Sequence, residues 1–168
     1  MAFEEKVEEL RRCVETAFAD AVYPGDSNIA TNPGCCDECR YTDDFFRGRH
    51  WRELTSEQKL PTGWGGLSLL TAAAWRFYLP AYLLLGLSQS EYAHDTAETV
   101  MFQLGPRDTA DLEGFFQERS SGFSDAQQEC LAAYTRYFSE RDPEDEDYQA
   151  TADYWQGRMA AIEPDAVA

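Results

Sequence analysis

The sequence predicts an all-α fold, a compact bundle of about six helices, from three observations. Apolar residues recur at spacings of three and four along most of the chain, which places them on one helix face. No stretch alternates with a period of two for long enough to form a strand, and capping residues precede several apolar runs. The 168 residues, 43% hydrophobic and 14% aromatic, fit one domain over residues 1–168 with a substantial core. Loops are expected over 25–36 and 61–67, and a disordered tail over 164–168.

The first two helices are predicted in the N-terminal quarter of the chain. An apolar stripe over residues 3–21 indicates an amphipathic helix, and Pro24 and Gly25 end it because they interrupt the helical ladder. A short second helix begins at or beside Asp37 and is closed by Gly48.

A central apolar helix follows two short turns. Single helical turns are expected over 51–54 and over 57–60. Thr71 is a suitable N-cap for a helix over 72–87 that is apolar nearly all round, which is typical of the centre of a bundle. Pro80 should kink this helix or divide it at Leu79, because proline removes a backbone N–H.

The next two helices are bounded by Gly, Pro and polar residues. A helix over about 95–104 stops at Gly105 and Pro106. Asp108 or Thr109 starts the one after it.

The last two helices carry the strongest capping signals. Ser124 and Gln127 form a capping box. Pro143 suits the first position of the last helix, with Asp142 as its cap. The acidic run at 144–147 would then stabilise the positive end of the helix dipole.

The net charge of −17 limits the partners of the chain. With 31 acidic residues against 14 basic ones, the chain repels nucleic acid and anionic membrane. The same field would speed the approach of a basic protein, although an acidic surface also serves solubility alone.

A cytoplasmic location is expected. Residues 1–10 include four glutamates, Glu4, Glu5, Glu8 and Glu9, where a signal peptide needs basic and then apolar residues. The longest apolar run, over 77–87, is too short to span a bilayer. Five cysteines, an odd number, argue against a disulfide framework in such a chain.

A cysteine cluster is the most specific local feature. Cys36 and Cys39 form a C-x-x-C pair, whose spacing lets two thiolates meet one zinc ion. Cys35 could be a third ligand and His50 a fourth. The same residues are also compatible with a redox pair, although the strand of a thioredoxin-type motif is missing, or with simple loop packing.

Other chemistry has no clear local signature. The aromatic and basic stretch 45–51 suggests single-strand stacking only on a positive surface, so a structural role is favoured. His50 and His94 lie far apart, and no Ser-His-Asp or Cys-His pattern is present, so no catalytic residues are predicted.

Three motifs carry a resemblance. Cys-Asp-Glu-Cys at 36–39, Phe-Arg-Gly-Arg-His-Trp at 46–51 and the Leu-Pro-Ala-Tyr-Leu segment within 70–84 together resemble an uncharacterised bacterial domain family. The resemblance covers roughly residues 10–140. This chain departs from the family pattern at Ala72, where proline is expected, and at Cys35, where histidine is expected. The resemblance implies no activity. Small domains of this kind are similar in size and acidity to immunity proteins that neutralise bacterial toxins.

Two function classes are therefore expected, and an enzyme whose site the sequence does not reveal stays open as a third. The first is a non-enzymatic acidic protein that engages a basic protein partner, such as an immunity-type inhibitor of a bacterial toxin. The second is a zinc-binding or thiol-redox protein that uses the cysteine cluster. The expected partner-binding residues are Asp142, Glu144, Asp145, Glu146 and Asp147.

Overall fold

The all-α prediction is confirmed. The structure, a computed structural model, describes residues 2–54, 59–62, 66–106 and 110–162. These ranges contain seven α-helices, two short 3-10 helices and no strand, apart from one isolated bridge between Ala30 and Leu70. The α-helices are α1 (Ala2–Ala17), α2 (Asp37–Phe46), α3 (Ala72–Gly86), α4 (Ala93–Leu104), α5 (Ala110–Ser120), α6 (Asp125–Arg141) and α7 (Glu146–Ile162), and the 3-10 helices are Trp51–Glu53 and Gly66–Leu69.

The helices belong to two compact units. The middle unit comprises residues 18–103, and the terminal unit comprises residues 1–17 and 104–168. The expectation of a single domain stays a prediction. Within the described ranges, no helix is both long enough and apolar enough to cross a bilayer. The expected turn at 57–60 lies largely outside these ranges, as do the expected helix start at Asp108 or Thr109 and the tail at 164–168.

The middle unit is built around α3. Thr71 caps this helix as predicted, because its Oγ1 accepts the N–H of Ala74 at 3.1 Å. Most residues of α3 are buried, as the apolar pattern predicts for a central helix. The expected division at Leu79 is wrong, because the helix continues through Pro80, although proline supplies no N–H to the ladder.

Two tyrosines of α3 anchor the segments that precede it. The Tyr78 hydroxyl lies 2.6 Å from the carbonyl oxygen of Phe46 and 2.9 Å from that of Arg49, just after the end of α2. The Tyr82 hydroxyl donates to the carbonyl oxygen of Pro61 at 2.6 Å. Both hydroxyls thus satisfy backbone acceptors, and they fix α2 against the central helix.

The terminal unit is a packed set of helices. Here α6 packs against both α7 and α1. The predicted capping box at Ser124 and Gln127 is confirmed at the start of α6. Trp155 of α7 is fully buried, and its Nε1 donates to the carbonyl oxygen of Leu104 at 2.9 Å.

Two predicted helix boundaries are wrong. Helix α1 ends at Ala17 rather than near residue 21, because the chain turns after it and the N–H of Ala21 donates to the carbonyl oxygen of Phe18 at 3.2 Å, three residues back instead of four. Helix α7 begins at Glu146 rather than at Pro143. Asp142 is the C-cap of α6, and Asp145 caps α7 instead because its Oδ1 accepts the N–H of Tyr148 at 3.0 Å.

Candidate metal centre

The three neighbouring cysteines gather at the start of α2. Cys36 is the N-cap of this helix, with the extended backbone that an N-cap requires (φ −160°, ψ 171°). Its Sγ accepts the backbone N–H of Cys39 at 3.4 Å. The local helix geometry therefore brings residues 36 and 39 to the same side of the first turn.

The sulfur atoms lie at distances that suit one metal ion. The Sγ atoms of Cys35 and Cys39 are 3.0 Å apart, and those of Cys35 and Cys36 are 3.6 Å apart. All three Sγ atoms lie within 4.8 Å of one another. A tetrahedral zinc ion with Zn–S bonds of about 2.3 Å needs sulfur atoms separated by about 3.8 Å. Small side-chain adjustments would therefore allow all three sulfurs to bind one ion.

The cluster is open to solvent on one side. Cys35 and Cys36 are exposed, whereas Cys39 is only 5% exposed. A metal ion could therefore approach from solvent, with Cys39 holding the inner side of the site.

The thiols of this cluster titrate differently. Hydrogen bonding from the Cys39 N–H, and then from the Cys39 and Cys35 side chains, lowers the pKa of Cys36. Hydrogen bonding with Cys35 and Cys36 raises the pKa of Cys39 to about 12. The position of Cys36 at a helix N-terminus also favours its thiolate. The cluster thus stabilises a thiolate at Cys36 and retains a proton at Cys39.

His50, the fourth ligand expected from the sequence, lies outside the group of three sulfurs. It caps the first 3-10 helix, where its Nδ1 accepts the N–H of Arg52 at 3.1 Å. Its ring packs against Trp51 and Phe77, with centroid separations of 5.7 and 5.2 Å. The structure therefore gives His50 a structural role, and metal binding by His50 stays a prediction.

A buried carboxylate, that of Asp43, links the middle of α2 to the preceding loop. Asp43 is 2% exposed. Its carboxylate accepts the N–H of Ala30 at 3.3 Å and forms an ion pair with Arg47. The neighbouring Thr42 accepts the N–H of Gly66 at 3.4 Å. Asp43 was not predicted from the sequence, although its spacing of four from Arg47 is a signal for a helical ion pair.

A cleft of about 580 Å³ adjoins the first turn of α2. Asp37, Glu38 and Tyr41 line it from the helix, and Lys59 lines it from the segment 59–62. Asp37 and Glu38 lie between Cys36 and Cys39 in the sequence. The cleft and the cysteine cluster therefore share one helical turn.

The expected partner-binding segment lies between α6 and α7. Asp142, Glu144, Glu146 and Asp147 are exposed, and Asp145 is half-buried because it caps α7. These carboxylates are accessible, but their use by a partner stays a prediction.

Fold and site together define an acidic, all-helical protein with a cluster of three cysteines at a helix N-terminus. The chain belongs to DUF6714, a family of unknown function whose sequence profile matches residues 6–159. The expected membership of an uncharacterised domain family is thereby confirmed. No curated protein and no solved structure matches the chain.

Proposed function

We propose that the protein binds a thiophilic metal ion, zinc in the first instance, through Cys35, Cys36 and Cys39. The observation that carries the proposal is the mutual approach of the three sulfur atoms to within 4.8 Å. Thiolates are the preferred protein ligands of zinc and of other soft cations.

The local nature of the cluster also supports the proposal. All three ligands come from five consecutive residues, so the folded start of α2 brings them together without relying on a distant element. The lowered pKa of Cys36 supplies one ligand already disposed to ionise. Thiolate ligands also persist best in a reducing compartment, which agrees with the expected cytoplasmic location.

Three protein ligands leave one tetrahedral position open. In zinc proteins an open fourth position takes water or a substrate, whereas closed structural sites use four protein ligands. The exposed face beside Cys35 and Cys36 gives a fourth ligand room to bind. We therefore expect an accessible metal ion that exchanges with chelators.

The proposal is tested by elemental analysis of protein purified without added metal, together with thiol titration before and after chelation. We expect about one zinc ion per chain. Chelator should make Cys35 and Cys36 reactive, because a bound metal shields its thiolate ligands. Cobalt substitution adds a spectroscopic test, since cobalt bound to thiolates has a charge-transfer band.

Matched variants locate the site. Cys36→Ser removes a ligand, and we expect it to abolish stoichiometric zinc and the cobalt–thiolate band. Cys13→Ser removes a half-buried cysteine of the terminal unit and should leave both unchanged. Metal-free protein with freely reactive cysteines, even after incubation with zinc, would refute metal binding. An intramolecular disulfide within the cluster would instead support the thiol-redox alternative.

The exposed acidic segment favours a second candidate function. Four of its five expected contact residues are exposed, and the chain carries a net charge of −17. This function is non-enzymatic binding of a basic protein, as in an immunity-type inhibitor of a toxin. Association with such a partner should slow steeply as salt is added, and a salt-independent association rate would contradict it.

A further inference from the structure

A second pair of cysteines meets in the terminal unit. Cys13 lies on α1 and Cys130 on α6, and these two helices pack against each other. Across this helix contact the two thiol side chains lie close enough to interact, and hydrogen bonding between them is the largest influence on the pKa of each. Cys130 is fully buried, whereas Cys13 is partly exposed. One thiol is thus accessible to small reagents, and the other is shielded from solvent.

The hydrogen bond makes the two thiols chemically unequal. It lowers the pKa of Cys13 to about 7, and this effect outweighs the burial and the neighbouring carboxylates of Glu129 and Glu9, which raise it. The same hydrogen bond, followed by burial, raises the pKa of Cys130. The lowered pKa favours the Cys13 thiolate, the form that reacts with oxidants.

We propose that Cys13 and Cys130 are a redox-sensitive pair that forms a reversible disulfide when a hydroperoxide oxidises the protein. The Cys13 thiolate attacks one oxygen of hydrogen peroxide, the O–O bond breaks, and sulfenic acid and hydroxide form. The Cys130 sulfur then attacks the sulfenic sulfur, its proton leaves with the hydroxyl group as water, and the S–S bond forms. Two thiols and one peroxide thus give one disulfide and, after neutralisation of the hydroxide, two waters.

The bond would fasten the N-terminal helix to the rest of its unit. A disulfide needs an S–S distance of about 2.05 Å, so the hydrogen-bonded sulfurs must move closer between helices that already touch. The closed loop would run from residue 13 to residue 130, and long loops give the largest loss of unfolded-state entropy. Oxidation should therefore raise the melting temperature by roughly 10 °C.

Peptide mapping after brief treatment with hydrogen peroxide tests the pairing. Trypsin together with a glutamate-specific protease cuts after Arg12, Glu15, Glu129 and Arg136. These cuts release residues 13–15 and 130–136, each with one cysteine and separate from residues 35–39. We expect the two peptides to be joined by a disulfide, and dithiothreitol should separate them. Unlinked peptides, or Cys13 oxidised to sulfinic acid beside a free Cys130, would overturn the proposal.

Two variants separate this pair from the cysteine cluster. Cys13→Ser should lose the cross-linked peptide and the peroxide-dependent rise in melting temperature. Cys36→Ser should retain both, because Cys36 lies in the middle unit. A rise of the same size in Cys13→Ser would refute the proposal, since it would come from another site.

Discussion

Substitution of Gly66 by alanine tests how the segment before α3 supports the cysteine-bearing helix. Gly66 has a φ of +63°, a conformation that side chains disfavour. A Cβ atom at this position would also overlap the carbonyl oxygen of Pro61 and lie 2.8 Å from its carbonyl carbon. Because both obstructing atoms belong to the backbone, no rotation of a side chain can relieve the overlap.

The two costs can be separated within this chain. A left-handed backbone costs a residue with a Cβ about 1–2 kcal/mol. Overpacking against rigid surroundings costs about 1–3 kcal/mol more. Gly48→Ala is the matched control, since Gly48 has a φ of +69° but no atom within 4 Å of its Cβ position. We expect Gly48→Ala to cost about 1–2 kcal/mol and Gly66→Ala about 2–5 kcal/mol of unfolding free energy.

Denaturant unfolding of the two variants measures the difference. Gly114→Ala is a second control, and we expect it to raise the unfolding free energy. Gly114 lies in a helix with open space at its Cβ position, and alanine is a better helix former than glycine. The N–H of Gly66 also donates to Thr42 of α2, so we expect Gly66→Ala to weaken zinc binding as well. If Gly66→Ala were no more destabilising than Gly48→Ala, the inference of backbone overlap would be refuted.

Three further predictions follow from the same structure. Asp43→Asn should lower the unfolding free energy by about 2–3 kcal/mol, because the buried carboxylate accepts the N–H of Ala30 and forms an ion pair with Arg47. Asp44→Asn, at an exposed position, is the control, and equal denaturation midpoints for the two variants would contradict this prediction. Ser124→Ala should cost about 1 kcal/mol in thermal unfolding because it removes the capping box of α6, and an unchanged melting temperature would count against it. Zinc affinity, measured by chelator competition, should fall as the pH is lowered. The pKa of the Cys39 thiol is raised, so this thiol keeps a proton that the metal must displace. An affinity that does not change with pH would show that Cys39 is not a ligand.

The helices were predictable where their capping signals are unambiguous. Thr71 and Ser124 each precede an apolar run, and both cap the helices that the sequence assigns to them. The start of α7 was misplaced because both Asp142 and Asp145 are chemically suitable caps. The choice depends on where α6 ends, and α6 continues to Arg141 and takes Asp142 as its C-cap.

The candidate sites were predictable from the sequence where their residues are neighbours along the chain, and not where packing between distant segments brings them together. Cys36 and Cys39 are three residues apart at a helix start, so their approach follows from helix geometry. Cys13 and Cys130 come close only because α1 packs on α6, and periodicity along one helix does not reveal which other helix it contacts. The buried role of Asp43 likewise depends on Ala30, which lies outside its helix.

The two cysteine groups show how environment, rather than residue type, determines thiol chemistry. In the cluster at the start of α2 three sulfurs lie within 4.8 Å of one another, and the proposed metal ion would replace protons at all three. In the terminal unit a single partly exposed thiol is backed by one buried thiol, which leaves too few ligands for a metal but the correct number for a disulfide. Chelator should therefore change the reactivity of the cluster without affecting Cys13, and peroxide should link Cys13 to Cys130 whether or not metal is bound. A chelator-dependent reaction at Cys13 would show that the two groups are not chemically independent.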